Sequence, residues 1–176
     1  SVEVENWVLD GNDALSRFRF SDGNWTLSAD LKWVFQNGTQ LSGTDGNDTL
    51  TGNGATNLIQ GLGGNDELSG AGGSDLLYGG VGNDLLHYEF SSRLMDGGDG
   101  IDTLSAERVT SGPVNIDLTE AKYADVEIVI GTTYGDVLSG TSWNEVLLGE
   151  DGNDNLQGQG GNDTLIGGSG KDTLIG

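Results

Sequence analysis

The 176-residue sequence contains no cysteine, one proline and one histidine, and each scarcity closes off a class of protein. Without cysteine there is no disulfide framework and no thiolate metal site, so an extracellular form of this chain has only metal to staple it. A lone histidine, His87, cannot build an HExxH zinc helix, and nothing around it resembles a nucleophile elbow. Basic residues are also few: seven Lys and Arg stand against 28 Asp and Glu, a formal charge of -21. That balance excludes the basic footprint needed for nucleic acid or an anionic membrane surface. No stretch approaches the ~20 apolar residues of a membrane span, and no basic-plus-apolar leader opens the chain. Low hydrophobicity with high charge usually signals disorder. Here the acidic residues are evenly spaced rather than run together, so order is expected to depend on something that neutralises them.

What the chain does have is glycine, 32 residues of it, set on a nine-residue beat. Its plainest copy is Gly97-Gly98-Asp99-Gly100-Ile101-Asp102-Thr103-Leu104-Ser105. Copies start at Gly43, Gly52, Gly61, Gly70, Gly79 and Gly97, and again at Gly131, Gly140, Gly149, Gly158 and Gly167. A fixed short period dictates architecture ahead of any local propensity. The first six residues of each unit read as a glycine turn and the last three as a short strand. The eighth position is apolar, as in Leu50, Ile59, Leu68, Leu77, Leu86, Met95 and Leu104, then Leu138, Leu147, Leu156, Leu165 and Leu174. One inward residue flanked by outward ones is the period-2 mark of a strand too short to stand alone. Stacked units would bury those side chains in a narrow ladder, a solenoid.

A turn plus a strand reverses the chain once, so two units, 18 residues, complete a coil. Each unit is expected above the unit two earlier, at the inter-strand spacing of about 4.8 Å. The sixth positions then sort into columns. In the first block these are Asp48, Asp66, Asp84, Asp102 on one edge and Asn57, Asp75, Arg93 on the other; in the second, Asp136, Asp154, Asp172 and Glu145, Asp163. Carboxylates about 5 Å apart repel by roughly 3 kcal/mol at an effective dielectric near 20. A cation between them reverses the sign. Oxygen-only donors select a hard ion, and flexible six-to-eight-fold oxygen coordination favours Ca2+ over Mg2+. The all-acidic columns are expected to carry Ca2+, and the Asn57/Arg93 column to be partly empty, with Arg93 as a built-in cation substitute.

At these residues the chain resembles the RTX (repeats-in-toxin) haemolysin-type family, whose nonapeptide G-G-x-G-x-D-x-U-x forms a calcium-bound, right-handed parallel β-roll. The units at Gly79, Gly97 and Gly167 match cleanly; those at Gly52, Gly131 and Gly140 and the stretch Tyr88 to Asp96 are degenerate. The resemblance implies an all-β solenoid whose ions lie between stacked turns and take sixth-position carboxylates and turn carbonyls. Candidate ligands in the first block are then Gly43, Thr44, Asp45, Gly46 and Asp48; Gly61, Leu62, Gly63, Gly64 and Asp66; and Gly70 with Asp75. Gly79, Gly80, Val81, Gly82 and Asp84 follow, stacked under Gly97, Gly98, Asp99, Gly100 and Asp102. The second block offers Asp136; Gly149, Glu150, Asp151, Gly152 and Asp154; Gly158 with Asp163; and Gly167, Gly168, Ser169, Gly170 and Asp172.

The expected organisation is a β-rich cap over residues 1–40, repeats over 41–105, a longer coil over 106–130 and repeats over 131–176. The frame breaks in the third of these, because Gly97 to Gly131 is 34 residues, not a multiple of nine. His87, at a ninth position, is expected to face outward, solvated or lightly packed. Trp7, Trp25, Trp33 and Trp143 are expected to pack in the cap or core rather than to line a sugar-binding face. Gly170-Lys171-Asp172 mimics the end of a phosphate loop, but Leu165 stands where the leading glycine belongs and Asp172 replaces Ser or Thr.

The resemblance implies a calcium-dependent structural module rather than an enzyme: unfolded at low cytosolic calcium, exported by a type I secretion apparatus and folded outside the bacterium. The chain is expected to be a piece of a larger exoprotein, since it opens in strand-like sequence and stops inside a repeat. The alternative is a calcium-dependent adhesion module gripping a cell-surface or glycan target.

Overall fold

The computed structural model describes residues 40–176, all of them strand, turn or loop, with no helix among them. The expected cap, with Trp7, Trp25 and Trp33, lies outside the described residues.

Every strand pair is parallel, and through the regular repeats partners are 18 residues apart: Leu50 stands on Leu68, Ile59 on Leu77, Leu138 on Leu156. The chain therefore forms a parallel β-solenoid with two walls. One wall is a single seven-stranded sheet of Thr49–Thr51, Glu67–Ser69, Leu85–His87, Thr103–Ser105, Ile128–Ile130, Val146–Leu148 and Thr164–Ile166. The other wall is divided. Gln40–Ser42, Leu58–Gly63, Leu76–Val81, Leu94–Asp99 and Tyr123–Ala124 make its first sheet. Asn115–Asp117, Val137–Ser139, Asn155–Gln157 and Thr173–Ile175 make its second.

The eighth-position side chains meet between the walls. Ile59, Leu68, Leu77, Leu86, Leu104, Leu138, Leu147 and Leu156 are wholly buried. At ~25 cal/mol per Å2 each such leucine contributes on the order of 2 kcal/mol. The ladder is one side chain wide per wall, so the turns have no core of their own to hold them.

The frame break is one long coil. Leu104 pairs with Val129, 25 residues on. Between them the chain lays Asn115–Asp117 beneath Val137–Ser139 and Tyr123–Ala124 above Leu94–Asp99, which is why that wall splits into two sheets. Ala106, Val114, Ile116, Leu118, Tyr123 and Val126 of this coil join the same buried cluster.

The long coil also overturns the expectation for His87. It is 6% exposed, and its Nε2 lies 2.9 Å from Glu67 Oε1. The segment after Ser105 brings Arg108 back across the outer face, where its guanidinium donates to the same oxygen at 2.6 Å. The His87 contact first, and Arg108 with it, holds the Glu67 carboxyl below its ordinary value.

Candidate metal centre

Because the undivided wall runs the length of the described solenoid, each sixth position can be assigned to an edge. The chain enters that wall through Asp48, Asp66, Asp84, Asp102, Glu127, Glu145 and Asp163. It leaves through turns ending at Asn57, Asp75, Arg93, Asp136, Asp154 and Asp172. The uninterrupted aspartate column of the first block is thus on the entry edge, and that of the second block on the exit edge. Glu127 was not among the sequence candidates: it lies in no nonapeptide, and only its place before the inward Val129 marks it as a sixth position.

One carboxylate oxygen is used the same way on both edges. Asp66 Oδ1 accepts the backbone N–H of Asp48, Asp84 that of Asp66, and Asp102 that of Asp84, each at 2.7 Å. Asp154 Oδ1 accepts from Asp136 at 2.7 Å, and Asp172 from Asp154 at 3.0 Å. A second ladder runs the opposite way through fifth-position asparagines, with Asn47 accepting from Asn65 N–H at 2.8 Å and Asn65 from Asn83 at 2.9 Å. Sequence reasoning missed this ladder, although Asn recurs at that position in Asn47, Asn65, Asn83, Asn153 and Asn162.

The second oxygen is the informative one. Oδ2 of Asp66, Asp75, Asp84, Asp102 and Asp154 is buried with no hydrogen-bond partner. Each faces the first glycine of its own turn. A Cβ built on Gly149 would stand 2.5 Å from Asp154 Oδ2 and 2.6 Å from the Gly167 carbonyl oxygen of the next coil. Gly61 and Gly79 are crowded in the same way by Asp66 with the Gly79 carbonyl and by Asp84 with the Gly97 carbonyl. A buried carboxylate oxygen with no donor is thus crowded against a second acceptor, an arrangement costly without a proton or a cation. Burial is the main reason the carboxyls of Asp66 and Asp102 are pushed up to about 6. Backbone N–H groups oppose the shift, and the charges of Asp84 and Asp48 at Asp66, and of Asp84, Glu127 and Asp125 at Asp102, add to it. Asp75, Asp84 and Asp154 are raised too, again chiefly by burial. Among the described residues no three carboxylate or imidazole side chains gather at one point, so any ion must complete its shell with peptide carbonyls.

Turn conformation exposes those carbonyls. The fourth position is left-handed in Gly82 (φ 135°) and Gly170 (φ 143°), which favours glycine there. The second position tolerates Leu62 (φ 80°) and Glu150 (φ 71°) in the same region. Side chains of Asp45, Leu62, Val81, Asp99, Glu150, Asp151 and Ser169 are exposed, leaving their backbones as the candidate donors.

Not all turns are alike. Where threonine holds the second position, it engages the carboxylate: Thr44 N–H and Oγ1 reach Asp48 Oδ2 at 2.6 and 2.8 Å, Thr132 N–H reaches Asp136 Oδ2 at 2.6 Å, and Thr141 bonds Glu145. In the Gly52 turn the Asn57 amide nitrogen donates to the Asn53 carbonyl at 3.0 Å, the Ala55 carbonyl at 2.6 Å and Asp75 Oδ1 at 3.1 Å. Asn57, not Arg93, is therefore the built-in cation substitute. Arg93 is exposed and forms no ion pair among the described residues, because the irregular stretch 88–92 carries it outward. Glu89 of that stretch instead accepts from the N–H groups of Ala71 and Gly72 at 2.7 and 2.6 Å.

These features, a nonapeptide coil and buried carboxylate oxygens facing carbonyls, meet an independent match in sequence. The family model for the RTX calcium-binding nonapeptide repeat (4 copies) matches residues 38–57, 51–86 and 139–174. Those stretches are RTX calcium-binding repeats. No match was found among curated proteins. The RTX solenoid is a calcium-binding module, and the donor set fits the ion: hard oxygens only, with orphaned carboxylate oxygens waiting in the turns. Bound calcium supplies positive charge to neutralise the stacked carboxylates. The matched stretches leave out residues 87–138, which hold the long coil.

Proposed function

We propose that this RTX solenoid is a structural module that folds on binding extracellular Ca2+ and supports type I secretion and stability of a larger bacterial exoprotein, with no catalytic role of its own. The observation that carries this reading is the row of buried carboxylate oxygens without partners. Asp66, Asp84, Asp102 and Asp154, with the turn carbonyls beside them, are the ligands. In a low-calcium cytosol the ionised apo coil is opposed by its own charge, and the chain stays exportable. Sites with affinities on the order of 10⁻⁴–10⁻³ M, usual for extracellular modules, would load outside the cell. Binding energy then becomes folding energy. RTX repeats are typical of secreted bacterial proteins, which is the basis for placing this one outside the cell. Circular dichroism in EDTA and then in excess calcium tests the reading: at neutral pH β-structure should appear only with calcium. An apo chain already fully β-structured and heat-stable at neutral pH would refute it.

A second reading rests on Trp143, which was expected to pack but is 78% exposed at the tip of its turn. An exposed indole suits a sugar face. Calcium-dependent binding on a glycan array, lost in Trp143→Ala, would favour an adhesion module.

A further inference from the structure

The geometry points to an additional calcium site at the seam between the repeats and the long coil, built by Asp102, the Asp125 carbonyl and Glu127. It rests on the calcium reading above, but Asp125 and Glu127 lie outside every nonapeptide, and all three residues lie outside the matched stretches.

The Gly97–Asp102 turn has no nonapeptide turn above it. The connection from Tyr123–Ala124 to Ile128–Ile130 is only residues 125–127, half the length of a repeat turn. Yet it reproduces the surroundings that Asp84 meets from the turn at Gly97. Asp102 is wholly buried and its Oδ2 has no partner. A Cβ on Gly97 would stand 2.6 Å from that oxygen and would also collide with the Asp125 carbonyl oxygen, which occupies the place held elsewhere by the next coil's first glycine carbonyl. Glu127 Oε2 accepts the Asp102 backbone N–H at 2.8 Å, the bond that a sixth-position aspartate makes in the repeats. Glutamate's extra methylene compensates for the shortened turn.

Asp125 holds φ at 46°, a left-handed conformation that a non-glycine residue adopts only at a steric cost. Such an outlier persists only where its surroundings impose it. Here it turns the Asp125 carbonyl toward Gly97 and Asp102. The partnerless Asp102 Oδ2 thus meets the Asp125 carbonyl in a buried cradle beside a second carboxylate, and a divalent cation satisfies all three. The entry-edge column then passes unbroken from the first repeat block into the second.

A crystal of the chain grown in calcium, with anomalous data collected at long wavelength, tests this directly. Expected is a peak at the seam beside Asp102 Oδ2, in addition to peaks between the turns of Asp66, Asp84 and Asp102. Peaks at those turns with none at the seam would overturn the seam site alone, and no peak anywhere would overturn the calcium reading itself. In solution, Glu127→Gln keeps an oxygen for the Asp102 N–H but removes the charge. Native mass spectrometry should count one ion fewer than the parent, with Glu107→Gln unchanged. An equal count and equal affinity in Glu127→Gln would refute the site. Should that variant fail to fold, the parent crystal still decides, by a seam peak or its absence.

Discussion

Two turns of equal length, Gly79–Asp84 on the entry edge and Gly52–Asn57 on the exit edge, end in side chains of almost the same shape. Asp84 leaves Oδ2 buried and unpartnered against a glycine carbonyl of the next coil. Asn57 puts an NH2 group onto two carbonyls of its own turn and the Asp75 carboxylate. The amide closes its turn without an ion, and the carboxylate holds its turn open for one. One backbone thus carries both amide-closed turns and turns with a partnerless buried carboxylate oxygen. In this chain the amide-closed turn lies in the first block, on the edge that carries the complete aspartate column in the second.

The largest break in that comparison should come from the first glycines. Gly79→Ala would drive a methyl into Asp84 and the Gly97 carbonyl and should cost about 3 kcal/mol. Gly54→Ala, on the Asn57 turn, meets nothing within 4 Å and should stay within about 0.5 kcal/mol in thermal unfolding with calcium. Next, Asp84→Ala removes a carboxylate shared by two stacked turns and should raise the calcium midpoint at least ~10-fold in a dichroism titration, about 1.4 kcal/mol. Arg93→Ala, exposed and unpaired among the described residues, should not move that midpoint.

Acidity offers a third comparison, between proton and calcium as the neutralising species. Asp66 and Asp102 are raised from an ordinary value of 3.8 to about 6, so the folded chain holds these protons more tightly than the unfolded chain. Their contribution to apo stability is then full below about pH 4 and lost as the pH rises through about 6. Urea unfolding in EDTA should show stability falling across that window, and the gain on adding calcium should grow across it. Stability rising from pH 4 to 6 in EDTA would contradict the burial of these carboxyls. The smallest effect is expected from Asn57→Asp, which exchanges the amide for an open carboxylate. It should lower apo stability modestly and add calcium uptake on the exit edge, read by isothermal titration.

Much of this was legible beforehand because the repeat is local. Eighth-position residues such as Leu68 and Leu86 announce the ladder, and a half-coil of nine residues sets the 18-residue register by chain length alone. The degenerate units were harder to read. Arg93 looked like an internal cation, since residue type suggests a charge but not the direction in which the chain presents it. His87 was placed outward by its phase, yet it is buried against Glu67, which also takes Arg108 from outside the repeat frame.

By itself, then, the sequence determined the β-solenoid, its inward ladder and the kind of ion its carboxylates demand, since these follow from spacing and charge along a short stretch of chain. Only the tertiary structure decided that the long coil splits one wall, that the complete aspartate column changes edge across it, and that Glu127 and the Asp125 carbonyl take the place of a missing turn. Those outcomes have no period. They depend on how one 25-residue coil packs between two sets of 18-residue coils, and that is settled by which backbone and apolar partners it meets in space.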